Sequence, residues 1–323
     1  MKAMVYHRYG PPDVLGLAEI PKPIPKDSQV LIKVHAVSLN PYDLHYLRGT
    51  PLPLRLEAGI AGPKHKILGV DVAGHIEEVG RDVNQFQPGD EVFGDLSGSG
   101  MGGLAEYVSA SADRLALKPE NITFAEAAAV PMAAVSALQA LRDRGKIQAG
   151  QKVLVNGASG GVGSFAVQIA KSYGAEVTAV CSSRNQDMVY SLGADKVIDY
   201  TQNDFTREGQ EYHLIIDAVG NCSVSHFKRA LTPNGISVVV GYTSAVLMIQ
   251  IMLLGPLASL TGNQKIGAIS AVPKSRDLEV LKTLIEARKV VPVIKQQYLL
   301  EETVEAFKHL ETGHARGKIV ITI

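Results

Sequence analysis

A glycine-rich turn between a strand and a helix constrains this fold more than any other feature. A strand predicted over residues 152–156 leads into the turn, and a helix predicted over residues 162–173 follows it. Free N–H groups at a helix N-terminus bind pyrophosphate, and glycines let the phosphate approach the backbone. The alternative is a tight turn without a ligand. The predicted cofactor contacts in the turn are Gly157, Ser159, Gly160, Gly161, Val162 and Gly163.

Strands and helices alternate from residue 151 onward, whereas the first third of the chain is rich in short strands. The alternation is typical of a doubly wound parallel sheet. The earlier strands are separated by glycine and proline turns such as Pro88-Gly89-Asp90, which indicate a compact β-barrel-like domain. A chain of 323 residues is long enough for both domains. We expect the last strand, over residues 318–323, to return to the β domain.

The end of the second strand of the parallel sheet indicates which nucleotide binds. NAD-binding units usually place a carboxylate there, whereas this chain has Ser182, Ser183 and Arg184. Small hydroxyl groups followed by arginine suit a 2′-phosphate, so the sequence favours NADPH over NADH. Tyr200 and Lys171 are further candidates for contacts near the 2′-phosphate. The alternative for Arg184 is that it is exposed to solvent and binds no ligand.

Composition and charge exclude several other classes of protein. The formal net charge is zero, so the chain has no basic footprint for nucleic acid. The two cysteines, Cys181 and Cys222, do not make a disulfide scaffold and indicate a cytoplasmic protein.

The apolar stretch over residues 245–260 is shorter than the ~20 residues of a spanning helix. It predicts a buried helix or dimer surface, with a membrane-surface contact as the alternative.

Motifs along almost the whole chain resemble the medium-chain dehydrogenase/reductase superfamily, in its zinc-independent quinone oxidoreductase (zeta-crystallin-like) branch. The motifs that carry this resemblance are Ser38-Leu39-Asn40-Pro41-Tyr42-Asp43, Gly69-Val70-Asp71-Val72-Ala73-Gly74, Phe86-Gln87-Pro88-Gly89-Asp90-Glu91-Val92, Gly102-Gly103-Leu104-Ala105-Glu106-Tyr107, Ala127-Ala128-Ala129-Val130-Pro131 and His314-Ala315-Arg316-Gly317-Lys318-Ile319-Val320.

The resemblance implies a GroES-like β-barrel catalytic domain and a Rossmann cofactor domain. We expect residues 1–122 and 270–323 in the first and residues 123–269 in the second. Strand ends in the Rossmann domain add Ala218, Val219, Gly241 and Tyr242 to the cofactor contacts. The resemblance adds Ile269 and Arg316.

The resemblance also implies that the chain has no zinc site. Zinc-dependent relatives use a cysteine, a His-Glu pair and a later cysteine, where this chain has Asn40, Val70-Asp71 and approximately Met132. Asparagine, valine and methionine do not rebuild a tetrahedral site of nitrogen and thiolate ligands. The sequence therefore predicts a metal-free enzyme.

Without a metal, hydrogen bonds must stabilise the developing oxyanion while the cofactor supplies the hydride. A quinone or an α,β-unsaturated carbonyl suits this chemistry, because conjugation spreads the negative charge. Asn40 is predicted to donate to substrate or nicotinamide ribose, and Asp43 to anchor its loop or join a proton relay. His45 and Tyr46 are candidate proton donors, with ordinary packing as the alternative. The loop over residues 52–66 is a candidate substrate entrance.

Two further classes of function compete with the oxidoreductase. One is a structural or RNA-binding protein in which NADPH only stabilises the fold. The other is a membrane-surface protein that uses residues 245–260. We also expect a homodimer that pairs through the strand over residues 265–271, with the apolar stretch buried beside it.

Overall fold

The computed structural model describes residues 1–313 and 316–323. Its strands are β1 Lys2–Val5, β2 Gly16–Glu19, β3 Gln29–Leu39, β4 Asp71–Val79, β5 Glu91–Asp95, β6 Tyr107–Ser111, β7 Leu115–Leu117, β8 Lys152–Asn156, β9 Glu176–Cys181, β10 Lys196–Asp199, β11 Tyr212–Asp217, β12 Leu231–Val239, β13 Lys265–Ala268, β14 Ile294–Leu299 and β15 Lys318–Thr322. Its α-helices are α1 Pro41–Arg48, α2 Arg55–Ala58, α3 Phe124–Ala128, α4 Pro131–Gln139, α5 Gly161–Ser172, α6 Gln186–Ser191, α7 Val224–Ala230, α8 Ala245–Thr261, α9 Ser275–Glu286 and α10 Thr303–Glu311.

The chain divides into two compact units. The β-rich unit comprises residues 1–132, 273–286 and 292–323, and the parallel-sheet unit comprises residues 133–272 and 287–291. Residues 123–132 group with the β-rich unit because α3 packs against β3 and β4. The functional domain boundaries given above stay a prediction.

The β-rich unit is built on one mixed sheet in the order β14-β15-β3-β4-β5-β7, with β6 also paired to β3. The long strand β3 runs antiparallel to β4, β6 and β15. The last strand therefore returns to this sheet, as predicted, with Ile319 opposite Leu39. Leu47, Val72 and Phe307 belong to the buried core of this unit.

The parallel-sheet unit has strands in the order β10-β9-β8-β11-β12-β13, and every neighbouring pair is parallel. Numbered within the unit, this order is 3-2-1-4-5-6, which is that of dinucleotide-binding doubly wound folds. Strands covered on both faces read as continuous apolar runs, and Val153, Leu154 and Val155 are fully buried. The predicted fold class is confirmed.

The alanine-rich spacing over residues 123–144 predicts a helix that is broken at Pro131, and the structure has this break. The spacing of Thr123 and Glu126 predicts a capping box, which the structure contains at the start of α3. Pro131 then begins α4, a position where its missing N–H leaves no hydrogen bond unmade. Ala140–Arg144 forms a π-helical turn. The sequence predicts a strand over residues 235–241, whereas β12 begins earlier, at Leu231, and ends at Val239.

The apolar stretch forms helix α8, which begins after the N-cap Ser244. It is not buried throughout: Val246, Met252, Leu253 and Leu260 are exposed. Among the described residues, no helix combines the length and hydropathy that a membrane span requires.

Candidate functional site

The glycine turn between β8 and α5 allows a very close approach of backbone segments. Gly157 has φ of 80°, and a Cβ there would lie 2.5 Å from the Val219 side chain. A Cβ at Gly163 would lie 2.1 Å from the Gly157 carbonyl oxygen. Both positions therefore exclude any larger residue, and α5 is held directly against the turn.

The N-terminus of α5 is not completed by a side chain. Gly160 is the N-cap residue, and among the described residues no side chain caps this helix end. The first intrahelical hydrogen bond is donated by Ser164 N to Gly160 O at 3.0 Å. The preceding N–H groups and the helix dipole together favour an anion at this end.

The carboxyl ends of the parallel strands share one edge of the sheet, and the structure brings most predicted cofactor residues there. Arg316 belongs to the β-rich unit and directly follows the undescribed residues 314–315, so its contact with the cofactor stays a prediction. The others lie just after their strands: Ser182, Ser183 and Arg184 after β9, Tyr200 after β10, Ala218 and Val219 after β11, Gly241 and Tyr242 after β12, and Ile269 after β13.

A buried hydrogen-bond network that sequence reasoning missed fixes the Val219 turn. Asn156 Nδ2 donates to Asp217 Oδ1 at 2.9 Å. The same carboxylate oxygen accepts from Val219 N at 3.0 Å and Gly220 N at 2.9 Å. Burial raises the pKa of Asp217, while these hydrogen bonds lower it. Polar residues ending two adjacent buried strands were the signal in the sequence.

A carboxylate that the sequence did not reveal lies beside the end of β9. Ser183 Oγ donates to Asp199 Oδ2 at 2.5 Å, because Asp199 ends the neighbouring strand β10. Hydrogen bonds from Ser183 and Thr201 lower the pKa of Asp199. Arg184 is exposed and has no ion-pair partner among the described residues. The prediction for Lys171 is wrong, since it binds Asp195 at the far end of α5.

A buried polar cluster lies at the junction of β3 and α1 in the β-rich unit. Asn40 Nδ2 donates to Asp71 Oδ2 at 2.9 Å, and Lys318 Nζ donates to Asn40 Oδ1. Lys318 Nζ also lies 3.4 Å from Asp71 Oδ2. Ser38 Oγ and Met132 N donate to the same carboxylate at 3.2 and 2.9 Å. The Asn40 amide is therefore engaged within the cluster, and its contact with a ligand stays a prediction.

Two other buried carboxyl groups belong to the surroundings of this cluster. Asp43 accepts from Asn40 N at 2.9 Å and from Gly69 N at 3.0 Å, and so anchors the start of α1. Burial, reinforced by the charge of Asp71, raises the pKa of Asp43 to about 7. The same two causes raise the pKa of Asp95 to about 7.

The predicted proton donors His45 and Tyr46 differ in their surroundings. His45 is exposed, whereas Tyr46 is only 3% exposed. The Tyr46 hydroxyl donates to Glu57 Oε1 at 2.7 Å and accepts from Tyr42 Oη at 3.0 Å. Burial and these two hydrogen bonds raise the pKa of Tyr46. Tyr42 is not among the predicted proton donors, and this hydrogen bond connects it to Tyr46.

The positions that would hold zinc in metal-dependent relatives converge in the structure. Asn40 and Met132 both donate to Asp71, and the ammonium group of Lys318 lies among them. Among the described residues, no group of three or more His, Cys, Asp or Glu side chains is arranged to hold a metal ion.

Comparisons with known proteins agree with both units. Residues 26–120 match the model of the alcohol dehydrogenase GroES-like domain, and residues 192–321 match that of zinc-binding dehydrogenases. The chloroplast envelope quinone oxidoreductase homolog of Arabidopsis thaliana is 35% identical over 99% of this chain and 98% of its own. The chain belongs to the medium-chain dehydrogenase/reductase superfamily, in its quinone oxidoreductase branch.

Two further comparisons extend this assignment. The chloroplastic NADPH-dependent alkenal/one oxidoreductase of Arabidopsis thaliana is 37% identical over 99% of this chain and 79% of its own. The structure of the quinone oxidoreductase from Coxiella burnetii has a TM-score of 0.87 at 33% identity and covers 100% of this chain and 99% of its own. The names of several relatives include the word chloroplastic or mitochondrial. The cytoplasmic location of this protein therefore stays a prediction.

Proposed function

We propose that this enzyme transfers a hydride from NADPH to a quinone or an α,β-unsaturated carbonyl. The open N-terminus of α5, pressed against Gly157 by Gly163, is the observation that supports nucleotide binding most directly. Relatives named quinone oxidoreductase and NADPH-dependent alkenal/one oxidoreductase support the two acceptor classes. When bound, the nicotinamide supplies the hydride.

Residues of the parallel-sheet unit are proposed to hold the nucleotide. The backbone N–H groups of Gly161, Val162 and Gly163 are proposed to bind the pyrophosphate, where the helix dipole favours its charge, while the Gly160 N–H donates to Gly157 O within the turn. Arg184 is exposed at the end of β9, so it is available to pair with the 2′-phosphate of NADPH. Asp199 fixes the Ser183 hydroxyl beside it.

The start of α1 in the β-rich unit is proposed to face the acceptor. We propose that this site works without zinc, because the ammonium group of Lys318 already binds Asn40 and Asp71 there. Three of the positions that ligate zinc in relatives hold Asn40, Val70 and Met132, which do not form a tetrahedral site.

Nucleotide titration and turnover test this function. We expect nicotinamide fluorescence to show tighter binding of NADPH than of NADH, and NADPH to be oxidised when a quinone or an enone is added. Arg184→Ala should weaken NADPH binding by about ten- to a hundredfold, which corresponds to roughly 1.5–3 kcal/mol for a lost charged hydrogen bond. Binding of NADH should hardly change in this variant.

The outcomes separate the alternatives. Equal weakening for both nucleotides would show that Arg184 does not read the 2′-phosphate. Absence of binding for either nucleotide would make the glycine turn purely structural and favour a non-catalytic role. Retention on a polyanion column that is lost with added salt would favour the RNA-binding alternative.

The exposed face of α8 supports the proposal of a homodimer. Strand β13 lies at the edge of the parallel sheet, beside exposed Val246, Leu253 and Leu257. Pairing of two β13 edges would bury apolar surface and complete the backbone hydrogen bonds. Light scattering tests this, and a monomeric mass would contradict it. Flotation with lipid vesicles would instead support the membrane-surface alternative.

A further inference from the structure

Two tyrosines on α1 and a glutamate on α2 form a continuous series of hydrogen bonds. Tyr42 Oη donates to Tyr46 Oη at 3.0 Å, and Tyr46 Oη donates to Glu57 Oε1 at 2.7 Å. The tyrosines are four residues apart, so their side chains lie next to each other on one face of the helix, with ring centroids 4.7 Å apart and the rings tilted by 35°. The chain therefore runs along the helix and ends on the following segment.

The solvent exposure of the three hydrogen-bonded side chains differs. Tyr42 is half-buried, Tyr46 is 3% exposed, and Glu57 is exposed to solvent. The buried central hydroxyl is thus connected at one end to a solvated carboxylate. Glu57 lies in the candidate substrate entrance, and the apolar side chains of Leu52 and Leu56 on the same segment are exposed.

We propose that Tyr42 protonates the carbon of the reduced enone, and that Tyr46 and Glu57 return the proton from solvent. The inference rests on the proposed function, in which the start of α1 faces the acceptor. Hydride addition to the β-carbon leaves an enolate. The Tyr42 O–H bond breaks as a C–H bond forms at the α-carbon, and the enolate electron pair becomes that bond.

The proton is then replaced along the chain. This step reverses the hydrogen bonds of the resting chain: the Tyr46 hydroxyl turns from Glu57 to the Tyr42 phenolate and transfers its proton to it. Glu57, after taking a proton from solvent, then donates that proton to the Tyr46 oxygen, so that both tyrosines are neutral again. The substrate gains one hydride and one proton, and solvent supplies the latter. A general acid placed in this way contributes about 10²- to 10⁴-fold to rate.

The other candidate donors do not suit this step. Tyr46 is enclosed, and its hydroxyl already joins Tyr42 to Glu57. His45 is exposed on α1, so water competes for it. Tyr42 alone combines partial exposure with a hydrogen bond to the buried hydroxyl.

A purely structural role for these contacts makes a different prediction. The Tyr46–Glu57 hydrogen bond could serve only to tether α2 to α1. Glu57→Gln keeps a hydrogen-bond acceptor, and hence the tether, but removes the carboxylate that exchanges protons with water. Tyr9→Phe is a matched control, because the Tyr9 hydroxyl tethers the same segment through Gly59 O at 2.6 Å and lies outside the chain.

The test uses the holoenzyme, an α-methyl cyclic enone and deuterated water. The wild type should deliver deuterium to one face of the α-carbon. Tyr42→Phe should lose this facial selectivity and reduce the enone about a hundredfold more slowly. Tyr46→Phe and Glu57→Gln should keep the selectivity while turnover falls roughly tenfold. Each of these variants should lose less quinone reduction than enone reduction, because the hydroquinone oxygens exchange protons directly with water.

Each outcome decides between the roles. Retained selectivity in Tyr42→Phe, or equal losses with enone and quinone, overturns the inference. If Glu57→Gln keeps its enone turnover, or if Tyr9→Phe loses as much turnover as Tyr46→Phe, the proton relay is rejected. The hydrogen bonds then serve only to tether α2 to α1. A wild type that reduces quinones but no enone overturns the inference and retains the proposed function. A wild type that reduces neither overturns the proposed function itself.

Discussion

The buried cluster of the β-rich unit and the glycine turn of the parallel-sheet unit differ in whether their polar groups find hydrogen-bond partners within the protein. In the cluster, Asn40, Asp71 and Lys318 bind one another, and their side chains are almost completely excluded from solvent. At the turn, the first N–H groups of α5 have no side-chain cap among the described residues. One region completes its hydrogen bonds internally, whereas the other is arranged for a ligand.

Because of this difference, we expect substitutions in the cluster to change stability and substitutions in the turn to change nucleotide affinity. Removing a partner from the closed cluster should reduce stability, because a buried charge then remains without its counter-charge. Changing the open turn should reduce nucleotide affinity, because the turn supplies shape and backbone donors rather than core packing.

The largest effect is expected for Lys318→Met. Asp71 is fully buried, so loss of the Lys318 ammonium should lower the free energy of unfolding by about 3–5 kcal/mol. Urea denaturation measures this change. Lys33→Met, an exposed position on the adjacent strand β3, serves as the control and should have little effect. A decrease in the free energy of unfolding below about 1 kcal/mol would show that the Lys318 ammonium does not stabilise the buried Asp71 carboxylate.

Gly163→Ala should act on the open turn instead. The added Cβ would lie 2.1 Å from Gly157 O, so α5 must move away from the turn. This movement would misalign the N–H groups that are proposed to bind the phosphate, and a loss of about 1–3 kcal/mol of binding free energy corresponds to roughly 5- to 150-fold weaker NADPH binding. Fluorescence titration tests this. Unchanged affinity would mean that the turn does not position the phosphate.

Asp95→Asn should change how stability depends on pH. The pKa of Asp95 is raised from 3.8 to about 7, so between these values the folded state binds more protons than the unfolded state. Stability contributed by this group is therefore present at low pH and lost as pH rises through about 7. The wild type should lose about 2 kcal/mol more than the variant between about pH 5 and 8. Parallel denaturation profiles for the two proteins would contradict this.

Local patterns in the sequence predicted much of the fold. Alternation of strand and helix gave the doubly wound sheet, and the spacing of Thr123 and Glu126 gave a capping box that the structure contains. The glycine turn was recognisable because its requirement is local: a left-handed Gly157, then a helix start. The start of β12 was missed because sheet pairing extends the strand back to Leu231, opposite Tyr212.

By itself the sequence determined the order of the elements, the glycine turn and the absence of a cysteine set for zinc, since each depends on neighbouring residues or on composition. Only the tertiary structure placed Lys318 on Asn40, 278 residues away, and Asp199 on Ser183. Those contacts depend on which strands are neighbours and in which register, and hydrophobic periodicity carries no such information. The same holds for Tyr46 and Glu57, which meet because the chain folds back after α1.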